Sequence, residues 1–130
     1  PRPVFLSCTS SLFEIALGKG PAVLQMNFHG RGALAGLIPN PKLRRFIERT
    51  LEDLGLPYQR QVIIGEVTDD AYTLVLGKRG VAMAHISIPM RYSHSPIETS
   101  DLRDIEAGIQ LVKAIADRFD GSLDLRRGLP

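Results

Sequence analysis

A chain of 130 residues can bury one core and is too short for two independent ones. With 44% hydrophobic residues and no apolar run near the length of a membrane span, it reads as a soluble globular unit without a transmembrane helix. The 16 Lys and Arg against 14 acids leave a formal net charge of only +2. The two signs are interleaved: Arg44, Arg45 and Arg49 stand among Glu48, Glu52 and Asp53, as on a solvated helix face. A nucleic-acid face would instead cluster its cations, so this charge pattern argues against such a partner. The lone Cys8 cannot form an internal disulfide or, by itself, a thiolate zinc site. It points to a reducing, cytoplasmic setting and reads as a small buried hydrophobe. Nothing at the amino end reads as a signal peptide. The chain opens on Pro1 in a strand-like run, as an interior or carboxyl-terminal portion of a longer protein would.

Val4 to Cys8 has β character, and Ser7 to Ser11 reads as its polar exit. Leu17-Gly18-Lys19-Gly20-Pro21 is punctuated as a turn, after which Ala22 to Met26 resumes as a strand. Asn27 to Asn40, with its glycines and a proline, reads as a loop. Its glycine spacing has neither the Lys-Ser/Thr ending of a P-loop nor the strand-to-helix setting of a dinucleotide fingerprint, and His29 within it reads as a surface histidine. Asn40 followed by Pro41 predicts a helix start, because Asn caps free amides and Pro lacks an N–H that would be unpaired there anyway. Leu43, Phe46, Ile47, Leu51 and Leu54 then recur at helical spacing up to Gly55. Gln61 to Ile64 reads as the next strand, 71–76 as a short helix, and the run from Val81 as a buried strand in which His85 is a packed core histidine. A last helix is expected from Ser100 or Asp101, with Ile105, Ile109, Val112, Ala116 and Phe119 as its buried stripe. Gly121 closes it, and 121–130 reads as a loose tail. Alternation of this kind favours an α/β layered sheet with helices on its faces.

The chemistry converges on Val81 to Glu106. There a strand leads into a Pro-stiffened loop carrying His94 between Ser93 and Ser95, with Glu98 and Asp101 close by. An imidazole so held suits a metal ligand whose orientation must be fixed. A loop histidine bonding locally has the same residue-level signature.

Arg91-Tyr92-Ser93-His94-Ser95-Pro96-Ile97-Glu98, followed by Asp101-Leu102-Arg103-Asp104-Ile105-Glu106, resembles the carboxyl-terminal signature of the tetrahedral-aminopeptidase family. These are dinuclear metallo-aminopeptidases, also called deblocking or glutamyl aminopeptidases and cellulase-like proteins. Ile86 to Pro89, Leu17 to Pro21 and Ile38 to Lys42 are similar to the family as well, so the resemblance covers most of Leu17 to Phe119. It implies an α/β fold, a layered αβα arrangement with a mixed sheet, of which residues 1–130 are the carboxyl-terminal portion of one zinc-exopeptidase-like catalytic domain. It also implies two active-site divalent metals, zinc or cobalt, a peptide substrate and homo-oligomeric assembly. By the same resemblance His94 is a metal ligand, and Asp70 and Tyr92 are neighbours of the site. Glu98, Asp101 and Asp104 match the pattern too, but their residue types and positions speak for capping and local bonding.

The family's other ligands are a His-x-Asp motif, a bridging Asp and a Glu-Glu pair that supplies the general base, and none of these motifs occurs here. Ser7-Cys8-Thr9 stands nearest to the place of a metal-binding D-V-T segment, and serine is a poor replacement for a charged oxygen ligand. Three readings follow: a portion of an aminopeptidase, inactive as this isolated chain; a degenerate, non-catalytic relative acting in peptide binding or assembly; or a small basic module with an unrelated partner. A domain cut from its neighbours should expose apolar surface and self-associate.

Overall fold

The computed structural model describes residues 10–11, 15–28, 36–64 and 81–126. Seven strands and two helices alternate along them. In chain order they are β1 (Ser10–Ser11), β2 (Ala22–Phe28), β3 (Gly36–Leu37), α1 (Pro41–Asp53), β4 (Gln59–Ile64), β5 (Ile86–Ser87), β6 (Met90–Arg91), β7 (Thr99–Ser100) and α2 (Leu102–Arg118).

The sheet is mixed, and β2 is its spine. β4 runs parallel to β2 on one side, from Ala22 opposite Gln59 to Phe28 opposite Ile64 with a one-residue register shift between Leu24 and Met26, and β1 joins β4 antiparallel. On its other side β2 takes two short antiparallel partners, β5 against Ala22 and Val23 and β3 against Asn27 and Phe28. The parallel pair needs a crossover, and α1 supplies it. Asn40 caps α1 as the sequence predicts, its side-chain oxygen accepting from the Lys42 and Leu43 N–H groups at 3.0 and 3.1 Å with Pro41 in the first turn. Gly55 follows the helix with φ +65.

Side chains alternate across β2, so Val23 and Leu24 serve opposite faces. Val23 packs with Ile47 and Leu51 of α1 and Leu111 of α2, which places both helices over one face of the sheet. Leu24 packs on the other face with Ile63 and Met83. The short helix expected over 71–76 lies outside the described residues.

Several expectations need correction. Ser10 and Ser11, read as a polar exit, themselves pair with β4 in the sheet, and the strand expected over Val4 to Cys8 lies outside the described residues. The stretch read as a loop from Asn27 contributes the end of β2 and all of β3. The run from Val81 is regular strand only at Ile86 and Ser87 and is half-buried there. Before it, the His85 carbonyl accepts from the Leu24 N–H at 3.0 Å, carrying the β2–β5 register one residue further, and the Met83 carbonyl accepts from the Asn40 N–H at 2.8 Å, so the segment ties the sheet to the start of α1. His85 is half-buried, and burial lowers its imidazole pKa. Residues 121–126 carry no helix or strand, but Asn40 Nδ2 donates to the Leu125 carbonyl at 2.7 Å and ties them to the start of α1.

The largest error concerns α2. Ile109 and Val112 are 64% and 60% exposed, whereas Asp104, Ala107, Gly108 and Leu111 are buried. The packed side is marked by small residues that allow close approach: a Cβ on Gly108 would lie 2.6 Å from Ile88 Cδ1.

One polar cluster links α1 to β4. Arg60 Nε and Gln25 Nε2 both donate to Glu48 Oε1, at 2.9 and 3.1 Å. Burial raises the Glu48 carboxyl, but the hydrogen bonds from Arg60 and Gln25 and the Arg60 charge outweigh it, and its pKa is lowered overall. The unfolded chain therefore binds more protons than the folded one between the folded pKa and 4.5. The stabilisation is complete above 4.5 and is lost as pH falls through the folded value. Arg60→Met should remove the Arg60 hydrogen bond and charge, leaving burial opposed by Gln25 and Arg44, and so raise the Glu48 pKa. Denaturant midpoints measured across pH should then fall less steeply below 4.5 than in the parent, because less of the Glu48 contribution is there to lose; an unchanged profile would show the pair to be idle.

Candidate functional site

His94 sits at the tip of a short hairpin. β6 and β7 pair through Met90 with Ser100 and Arg91 with Thr99, and the connecting residues fold back on themselves. The Ser95 N–H donates to the Tyr92 carbonyl at 3.1 Å, and the Ser95 hydroxyl donates to the Ile97 carbonyl at 2.8 Å. The Glu98 carboxylate accepts from the His94 backbone N–H at 2.8 Å. Tyr92 and His94 both adopt left-handed backbone, φ 60 and φ 61, which costs a non-glycine residue about 1–2 kcal/mol. Such strain persists only where the surroundings over-determine it. Here four bonds within a seven-residue loop, and Pro96, which has no N–H to compete, hold the tip in shape while 90–99 remain exposed.

The hairpin leads directly into α2, and the first turn of that helix fixes it to the sheet. Asp101 caps α2 by accepting from the Arg103 N–H at 2.9 Å. Its side chain also takes Arg103 Nε and Nη2 at 3.0 and 2.6 Å, and these bonds from Arg103 hold its carboxyl down at about 2. Asp104, 1% exposed, reaches across the molecule: its two oxygens accept from the N–H groups of Gly18 and Gly20 at 2.8 and 2.7 Å. The turn so grasped is further held by Gln59, whose side chain accepts from the Ala16 N–H and donates to the Ala16 and Gly20 carbonyls, each at 2.9 Å. Local bonding by Glu98 and capping by Asp101 are as the sequence suggests. The long-range role of Asp104 was not foreseen, and the only hint was an acid on the helix side shared with Ala107 and Leu111.

Of the predicted site residues, His94 and Tyr92 lie in one loop, and Asp70 lies outside the described residues. No group of three His, Cys, Asp or Glu side chains among the described residues is placed to hold a metal ion. Glu98, the nearest acid in sequence, is engaged with the loop's own backbone. Among the described residues the donors therefore do not fit a complete metal centre: the hairpin offers the His94 imidazole, and the Glu98 carboxylate beside it is taken up by backbone. No helix among the described residues is long and apolar enough to cross a membrane.

Comparison with known proteins agrees with this partial character. The SgcX protein of Escherichia coli is 42% identical over 103 residues, which are 79% of this chain and 27% of that protein. The solved aminopeptidase APDkam598 from the archaeon Desulfurococcus kamchatkensis superposes with a TM-score of 0.77 at 39% identity, covering 88% of this chain and 31% of that one. The TET1 peptidase of Pyrococcus horikoshii, which can assemble into a tetrahedron or a large octahedral shell, superposes at 0.62 with 28% identity, over 79% of this chain and 28% of its own. The chain thus spans about a quarter to a third of the relatives it matches. The model of one family matches residues 7–111, which hold the turn grasped by Asp104, the sheet and the His94 hairpin, and the chain belongs to that family, the M42 glutamyl aminopeptidases.

Proposed function

We propose that this chain is the carboxyl-terminal portion of a metal-dependent aminopeptidase catalytic domain, contributing His94 as a ligand to a zinc or cobalt ion. The complete protein hydrolyses amino-terminal residues from peptides, works as a cytoplasmic homo-oligomer, and has Tyr92 and Asp70 beside the site. The observation that carries this reading is the hairpin of an M42 family member, which holds one imidazole in a strained, internally bonded loop at the start of a tightly anchored helix. The remaining ligands and the general base belong to the part of the relatives that this chain does not match.

As an isolated chain it should release no amino acids from unblocked peptides with zinc or cobalt present. Joined behind the upstream part of the Desulfurococcus kamchatkensis aminopeptidase, it should complete an active enzyme. In that chimera His94→Ala should lower kcat/KM by more than the roughly 10–100-fold typical of losing an outer-shell partner. Activity of the isolated chain, or a chimera indifferent to His94→Ala, would refute the assignment.

A second reading, a non-catalytic relative serving peptide binding or assembly, is favoured by one observation: Ser7 stands nearest the place where the family has a metal-binding carboxylate. A chimera that folds but stays inactive until Ser7→Asp is introduced would decide for it.

A further inference from the structure

Helix α2 carries more apolar surface than the other described residues cover. At about 100° per residue, Asp104, Ala107, Gly108 and Leu111 fall on one side, which is buried against the sheet and α1. Leu102, Ile105, Ile109 and Val112 fall on the adjoining side and are 79%, 37%, 64% and 60% exposed. Arg103, Glu106 and Lys113 lie on the remaining arc, and Asp104, bonded to Gly18 and Gly20, is the charged residue at the centre of the buried side. Apart from Asp104 the apolar arc is therefore continuous, and roughly half of it is open. A helix at the surface of a finished domain has polar residues on its open side; a helix apolar over this width has a second neighbour in a core.

We propose that the open side of α2 is the docking face for the rest of an M42 aminopeptidase chain. An apolar segment from the unmatched part of the relatives' length would cover Ile105, Ile109 and Val112. Three observations select this occupant. The matched relative SgcX has about three-quarters of its length outside the match, since the chain covers 27% of it. The open side continues the buried side without a polar rim between them, as in a core cut through, whereas a surface patch for a separate partner is bounded by such a rim. The helix also begins where the His94 hairpin ends, and among the described residues no group of three potential ligands accompanies that histidine. The chain that covers α2 and the chain that supplies the other ligands are then the same one. This last argument rests on the function proposed above; the first two do not.

Single-cysteine variants test it in a Cys8→Ser background, with Ile109→Cys and Val112→Cys on the open side and Lys113→Cys on the polar arc. Each is labelled with a thiol reagent in the dilute 130-residue chain and in the chimera with the Desulfurococcus kamchatkensis enzyme. We expect all three to react as exposed thiols in the isolated chain. In the chimera the reaction at 109 and 112 should slow on the order of 100-fold, as expected of a site that reacts only through local opening, while that at 113 is unchanged. Equal rates in both proteins would overturn the proposal, as would a chimera without a cooperative melt. Protection in the isolated chain that grows with its concentration would also overturn it, because the occupant is then a second copy. Peptidase activity of the chimera separates the two readings: a chimera that protects 109 and 112 yet cannot be made active ends the catalytic reading and leaves the docking face standing.

Discussion

Gly20→Ala should destabilise the protein by roughly 3–5 kcal/mol, combining overpacking with a left-handed backbone. A Cβ at this position would lie 1.9 Å from the Pro57 carbonyl oxygen and 2.5 Å from its carbon, and the residue has φ +84. Neither neighbour can yield, because both are backbone, and the Pro21 carbonyl nearby accepts the Gln59 N–H at 2.9 Å. Gly55→Ala is the internal control. It has φ +65 with nothing within 4 Å of the added carbon, so it should cost only the backbone penalty of about 1–2 kcal/mol. Urea denaturation of the two variants separates steric from conformational cost, and equal losses would show that the turns can move apart. A domain of this size has a total stability of about 5–15 kcal/mol, so the first substitution can consume most of it.

Asp104→Ala is expected to cost about 2–5 kcal/mol, because it leaves two N–H groups, those of Gly18 and Gly20, without their acceptors in a buried setting. The charge of the carboxylate strengthens both bonds, so Asp104→Asn should recover only part of the loss. Asp101→Ala removes an ordinary exposed cap and should cost less than Asp104→Ala. Thermal melts of the three variants give the ranking, and a loss at Asp101 equal to that at Asp104 would contradict it. Amide exchange at Gly18 and Gly20 provides a local reading, since these protons should lose protection in Asp104→Ala before the rest of the sheet does.

The contrast between the two helices explains how far the sequence could be read. α1 is legible because local and tertiary signals agree: Asn40 and Pro41 start it, Ile47 and Leu51 are both large and buried, and Gly55 follows its end. In α2 they diverge. Its large aliphatic residues mark a face that this chain leaves open, and its packed face is written in Ala, Gly and an acid, residues that simple periodicity discounts. β3, β6 and β7 are two residues each, too short for any alternation to show. The hairpin around His94 was accordingly legible only as a loop between a strand and a helix. Asn27 also has no sequence signal: it is fully buried in β2, and neither side-chain polar atom has a hydrogen-bond partner among the described residues. The α/β class and the mixed sheet implied by the resemblance hold, and of the expected order strand, strand, helix, strand, short helix, strand, helix the two long helices and the strands now seen as β2 and β4 are present, while the short helix lies outside the described residues.

The bonds from Asp104 to Gly20 and Gly18 also bear on the order of events as the chain folds. They join residues 84 and 86 positions apart, so they close a loop that comprises most of the molecule. β2, α1 and β4 can pair while that loop is open, whereas the His94 hairpin is anchored only when α2 arrives from the far end of the chain. Closure of long loops is entropically costly and is rewarded late. In a chevron analysis, Asp104→Asn should therefore accelerate unfolding and leave refolding nearly unchanged. Made from its amino end, the protein acquires its sheet first and the fixed position of its histidine last.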